Sequence, residues 1–242
     1  MKGGIGTVSG FVVFVAMCDV AHSALPRPDE ALERLKEGNA RFAAGEPAHP
    51  HIDAARLRET ATKGQHPFAT VITCSDSRCP VEILLDRGIG DLFVIRVAGN
   101  VCNVDEVGSI EYGVDHLETP VMVVLGHTHC AAVTAVVTGA ELHGSIPPLA
   151  ANIKPAVAKA KKAHPSLHGA DLVPAAVKAN VWQSIDDLLR TSPATRKRVK
   201  AGTLKVVGAI YDIATGKVEW LGPHPEQKRL LAQEGGVPDS EH

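Results

Sequence analysis

Aromatic residues are scarce in this chain. Five Phe, two Trp and two Tyr make up 4% of its 242 residues, so a core has to be assembled from Val, Leu, Ile and Ala. Charge of one sign is lacking too. Lys and Arg number 25 against 27 Asp and Glu, and the formal net charge of −2 argues against nucleic acid or an anionic membrane surface as principal partner. The five cysteines are too few for a disulfide scaffold, and the odd count leaves at least one thiol for metal or redox chemistry. A membrane span needs roughly 20 apolar residues; the apolar run Phe11–Met17 is far shorter. What remains is a globular composition, 45% hydrophobic and 21% charged, in a length that suits one large α/β domain or two small ones.

The N-terminal stretch reads as a signal peptide over residues 1–24. Lys2 is the only charge before Asp19, Phe11–Met17 supplies a short apolar core, and Ala21-His22-Ser23-Ala24 supplies small residues for cleavage. The expected location is periplasmic or secreted; the alternative is an N-terminal extension on a cytoplasmic protein. A single domain is expected over 25–222. Residues 223–242, polar and carrying Gly235-Gly236 and Pro238, read as a flexible tail.

Between these ends, apolar spacing predicts a helix over 28–44, with Asp29 as its cap, and a second, charged helix over 52–63. Short β-branched runs predict strands at 68–73, 92–97, 121–125 and 203–213, with 218–221 folding back as a hairpin across Thr215-Gly216. Helical segments are expected at 81–87, 106–117, 130–137, 153–163 and 172–189. Strand–helix–strand repetition implies an α/β fold with right-handed crossovers and a mostly parallel central sheet flanked by helices.

In such a sheet ligands gather at the carboxyl ends of the strands. The first predicted strand runs into Cys74-Ser75-Asp76-Ser77-Arg78, and the third into Gly126-His127-Thr128-His129-Cys130. Cys74, His127 and Cys130 offer two thiolates and one imidazole, a set that suits zinc, and three protein ligands leave the open fourth position of a catalytic site. The 53-residue separation of Cys74 from His127 spans strand–helix–strand–helix–strand, unlike a compact zinc finger. Either motif alone is weak, because cysteine is often a small buried hydrophobe; their combination at two strand ends gives the reading its specificity.

With those motifs in order, the chain resembles the β-class carbonic anhydrases over residues 31–221. The resemblance runs through Cys74–Arg78 and Pro80, Gly90–Asn100, Gly108-Ser109-Ile110-Glu111-Tyr112 and Gly126–Cys130. It implies a β-carbonic anhydrase-like fold with an N-terminal helical arm, one Zn2+ per chain, and a homodimer or dimer-based higher homo-oligomer. It further implies reversible hydration of carbon dioxide to bicarbonate and a proton, by attack of zinc-bound hydroxide. Asp76 would accept a hydrogen bond from the zinc-bound water and Arg78 would hold Asp76; in some family members that aspartate swings onto zinc as a fourth ligand. By family position Gln65, Phe93, Ala98 and Tyr112 would line a small apolar substrate pocket, partly from the neighbouring subunit.

Two departures stand out. A bicarbonate-inhibited subgroup has Trp three residues before the first zinc cysteine, where this chain has Val71, so that inhibitory site is expected to be absent. The usual Gly after the last zinc cysteine is Ala131. Cys79 and Cys102 fall outside the ligand set and read as buried thiols, with a disulfide as the alternative in an oxidising compartment. Rival functions on the same residues are hydrolysis of a carbon dioxide analogue such as carbon disulfide, and a zinc- or bicarbonate-binding protein without turnover. The latter has no need of Asp76 and Arg78.

Overall fold

The computed structural model describes residues 25–232; the expected signal peptide lies outside the described residues. Five strands form one sheet: β1 (Ala69–Thr73), β2 (Leu92–Arg96), β3 (Val121–His127), β4 (Lys205–Tyr211) and β5 (Val218–Gly222), in the order β2-β1-β3-β4-β5. The first four are parallel, and only β5 runs antiparallel, as the return arm of a hairpin on β4. The helices are α1 (Pro28–Ala44), α2 (Ala54–Lys63), α3 (Val81–Leu84), α4 (Val104–Glu111), α5 (Ala131–Thr138), α6 (Ile146–Ala151), α7 (Lys154–Ala163), α8 (Val173–Thr191), α9 (Pro193–Lys200) and α10 (Gln227–Ala232). None of the described helices is long and apolar enough to cross a membrane.

The scarcity of aromatics is met by aliphatic layers on both faces of the sheet. Side chains alternate along a strand, so Val71, Val123, Leu125 and Val207 face one way, where Ala31 and Leu35 of α1 and Leu84 of α3 cover them. Ile72, Met122, Val124 and Val206 face the other way, under Ile110 of α4 and Val181, Ile185 and Leu188 of α8. All seven residues of β3 are buried, as a central parallel strand requires. α8 sits close to the sheet because two facing residues have no side chain. A Cβ on Gly126 would lie 2.7 Å from Val181, and one on Gly208 2.8 Å from Trp182 and Val181.

Several sequence expectations are corrected. The cap of α1 is Arg27, not Asp29: Pro28 takes the first helical position, the Arg27 amide donates to Glu30 (3.1 Å), and Asp29 pairs with Lys205. The single helix expected over 106–117 is α4, capped by Asn103 and Glu106, followed by a π-helical turn over Tyr112–His116. The stretch expected to begin a flexible tail carries α10, whose Leu230 is 1% exposed against the α8 layer. Residues 233–242 lie outside the description. α6 and α9 were not anticipated: in each, proline occupies the first turn, where its missing N–H costs nothing.

Candidate metal centre

β1 and β3 are neighbours in parallel register, with Thr73 opposite Leu125. The residue after β1 and the end of β3 therefore meet. Cys74, His127 and Cys130 bring ligand atoms within 4.8 Å of one another, all three buried. The two sulfurs lie 4.0 Å apart, close to the ~3.8 Å that two metal–sulfur bonds of about 2.3 Å enclose at a tetrahedral angle. His127 Nδ1 sits 2.8 Å from the Thr128 carbonyl, which can only accept, so Nδ1 carries the hydrogen. That leaves Nε2 as the lone-pair nitrogen, buried and without a hydrogen-bond partner among the described residues. An orphaned imidazole nitrogen beside two converging sulfurs fits a metal ion.

The electrostatics agree. Cys130 donates to Cys74, which holds the Cys74 thiol well below its ordinary range and, with burial, pushes Cys130 up. The pair thus holds one negative charge readily. Burial pulls the His127 imidazole down, but the sulfurs of Cys74 and Cys79 outweigh it and raise the ring to about 10. A field that favours a proton there also favours a cation, and ligand binding by a metal displaces that proton.

Beside the cluster, Arg78 grips Asp76 through three bonds: backbone N to Oδ1 (3.0 Å), Nε to Oδ1 (2.9 Å) and Nη2 to Oδ2 (2.7 Å). These bonds hold the Asp76 carboxyl well below the usual carboxylate range, with a smaller contribution from His127. Asp76 Oδ2 lies 3.9 Å from His127 Nε2, at the edge of the ligand cluster and turned toward Arg78. Arg78 also reaches the His129 carbonyl at 3.4 Å, tying the two strand-end loops together.

Sequence reasoning missed Arg96. It ends β2 opposite Thr73, and its guanidinium donates to the carbonyls of Cys74 (3.2 Å) and Asp76 (2.5 Å), fixing the loop that carries both. A charged residue closing an otherwise apolar strand was the available signal. Also missed was the turn at Ala98–Asn100, where the Gly99 N–H donates to Cys74 Sγ at 3.3 Å.

The remaining predicted site residues divide. Ala98 lies in that turn, beside the cluster. Phe93 does not: it pairs with Thr70, four residues before Cys74, or about 13 Å down the strand. Tyr112 stacks on Phe93 (centroids 5.7 Å) and His116 on Tyr112 (5.3 Å). Gln65, exposed, precedes β1 altogether. One chain therefore brings Ala98 to the Cys74–His127–Cys130 cluster and leaves Gln65, Phe93 and Tyr112 at the opposite end of the sheet. Cys79 and Cys102 are free and buried, Cys79 within the α1 layer and Cys102 within the α8 layer.

A family model described as carbonic anhydrase matches residues 69–218. A carbonic anhydrase of Mycolicibacterium smegmatis is 39% identical over 197 residues, covering 79% of this chain and 92% of the relative. Among solved structures, the β-carbonic anhydrase CafA of Aspergillus fumigatus aligns with a TM-score of 0.68 at 28% identity, covering 86% of this chain and 98% of the other. A structure from a study of two tetrameric β-carbonic anhydrases of Sordaria macrospora aligns at 0.64 and 26% identity, covering 80% and 98%.

Proposed function

The chain belongs to the β-carbonic anhydrase family, and on that premise we propose that it catalyses the zinc-dependent, reversible hydration of carbon dioxide to bicarbonate and a proton. Cys74, His127 and Cys130 would hold one zinc ion per chain; two thiolates with an imidazole suit zinc better than harder or larger ions. Bound there, zinc supplies a Lewis acid that brings the pKa of water from about 15.7 toward neutrality. The protein's own groups do the rest. Asp76, weakened as a base by Arg78, does not retain a proton at neutral pH; it accepts a hydrogen bond and orients the attacking water. Arg78 fixes Asp76 by the bidentate pair and keeps it off the ligand cluster. Arg96 holds the backbone on which Cys74 and Asp76 sit.

Carbon dioxide carries no charge, so its pocket has to be apolar. Ala98 would supply one wall from the same chain. Gln65, Phe93 and Tyr112 would supply the others from a second copy, which makes a homodimer the smallest active unit, alone or within a larger homo-oligomer. The observation that carries the reading is the buried His127 Nε2, without a hydrogen-bond partner among the described residues, clustered with two sulfurs 4.0 Å apart. Metal analysis with a stopped-flow hydration assay tests it. About one zinc per chain is expected, and Cys130→Ser should lose zinc and activity together; a Cys130→Ser protein with full zinc and a normal rate would refute it.

A further inference from the structure

Gly99 and Asn100 are consecutive residues in left-handed backbone, with φ of 74° and 46°. Glycine suits position 99 on both counts, its φ and its space, since a Cβ there would lie 2.6 Å from Ile153 Cδ1 and force that side chain to move. Asn100 is a strained non-glycine residue in that region, and such a conformation persists only where its surroundings fix it. The fixing groups come from α8, some 80 positions later in the chain. Asn180 Nδ2 donates to the Gly99 carbonyl (2.6 Å), and Ser184 Oγ shares its one hydrogen between the Asn100 carbonyl (2.8 Å) and the Asn180 carbonyl of its own helix (3.0 Å). The two lie one helical turn apart and are 1% and 2% exposed.

Asn180 is an expensive residue in that place. Its Oδ1 is buried and has no partner among the described residues, and an unsatisfied buried amide oxygen disfavours folding. Packing alone would be served better by leucine. What the amide does accomplish is to anchor a turn whose N–H reaches the Cys74 sulfur from outside that residue's own loop, where the Asp76 backbone is the second donor.

We propose that Asn180 and Ser184 are positioning residues of the metal centre: they lock the Gly99–Asn100 turn so that its N–H draws charge off the Cys74 sulfur. The inference rests on the zinc reading above. A hydrogen bond to a thiolate lowers the charge that sulfur donates to a metal, which leaves the metal a stronger Lewis acid and moves the pH midpoint of hydration downward. Loss of such outer partners typically costs 10–100-fold in metal affinity or activity.

The test uses Co2+ in place of zinc in the full chain, with Asn180→Leu, Ser184→Ala and Ser184→Thr. Wild type should show a sulfur-to-cobalt charge-transfer band that Cys130→Ser abolishes. In Asn180→Leu and Ser184→Ala that band should move to longer wavelength, the pH midpoint of hydration with zinc should rise, and the metal dissociation constant should increase ~10–100-fold. Ser184→Thr keeps the hydroxyl and should restore all three. If Asn180→Leu does not fold, the Ser184 pair decides. Wild-type band, midpoint and affinity in the donor-lacking variants, whatever their melting temperature, would overturn the proposal and leave the two residues as packing of α8. A missing thiolate band in wild type, or an unchanged one in Cys130→Ser, would instead overturn the ligand assignment, and this inference with it.

Discussion

The two ends of the parallel sheet are finished differently. At the carboxyl ends of β1 and β3 the ligand residues are buried, two guanidiniums span the loops, and α8 fastens the turn beneath Cys74. At the amino ends Tyr112 is 47% exposed, and α2 buries none of its residues, with Leu57 53% exposed. Polar ties hold α2 instead: Arg56 donates to the Ile89 carbonyl (2.7 Å) and pairs with Asp91, which also takes His51 (2.7 Å). One end holds its reactive groups inside a close-packed apolar shell that includes Val101, Val133 and Ile153, and the other leaves aromatic surface exposed without reactive groups. In the homodimer proposed above, the open, aromatic end of one copy would face the closed, ligand-bearing end of the other.

The comparison can be broken first at the closed end. Asp76→Ala, which removes the acceptor, should keep its metal and lose hydration rate by ~10²-fold, the scale of a misplaced reactant. A near-normal kcat/KM from pH 6 to 9 would make Asp76 only a structural partner of Arg78. A smaller effect sharpens the comparison from the open end. Tyr112→Ala should retain metal and lower kcat/KM. Refolding it together with the metal-free Cys130→Ser chain should then give more activity than either variant alone, because the mixed dimer pairs an intact cluster with intact aromatics. An activity that only averages the two parents would place Tyr112 in the service of its own chain. The smallest effect is on stability. Asp86, buried, accepts from the amides of Ala48 (3.0 Å) and His49 (2.8 Å) and from Arg41 (2.6 Å). Burial raises its pKa, but these bonds outweigh it and the net shift is downward. A depressed carboxylate contributes stability that is present above the unfolded value of about 3.9 and lost as pH falls below it. The melting temperature should therefore drop below pH 4, and more shallowly in Asp86→Asn than in wild type.

Much of the closed end could be read from the sequence because its signals are local. Val121–Leu125 is an apolar run with a ligand motif directly after it, and Cys74–Arg78 follows a β-branched run, so strand ends and chemistry are adjacent in the chain. The supporting groups could not be read this way. Asn180 and Ser184 look like ordinary polar residues of a long helix, and their role exists only through carbonyls 81 and 84 positions away. Arg96 acts across a strand pair on a backbone 20 positions earlier. The π-turn at Tyr112–His116 leaves no mark in periodicity, because the sequence continues a helical pattern through it. α10 was hidden by composition: a polar stretch hid Leu230, whose burial depends on α8 being there to receive it.

The buried free thiols have a kinetic consequence. Cys74, Cys79, Cys102 and Cys130 are all shielded from water, so an alkylating reagent modifies them only during excursions in which the surrounding layer lifts. Cys79 lies beneath α1 and α3, and Cys102 beneath α4 and α8. In a Cys18→Ser chain loaded with metal, these two become separate clocks for the two faces of the sheet. Where reclosing outpaces alkylation, each labelling rate measures the free energy of its own opening. The order in which the two modified masses appear tells which helical layer leaves the sheet first.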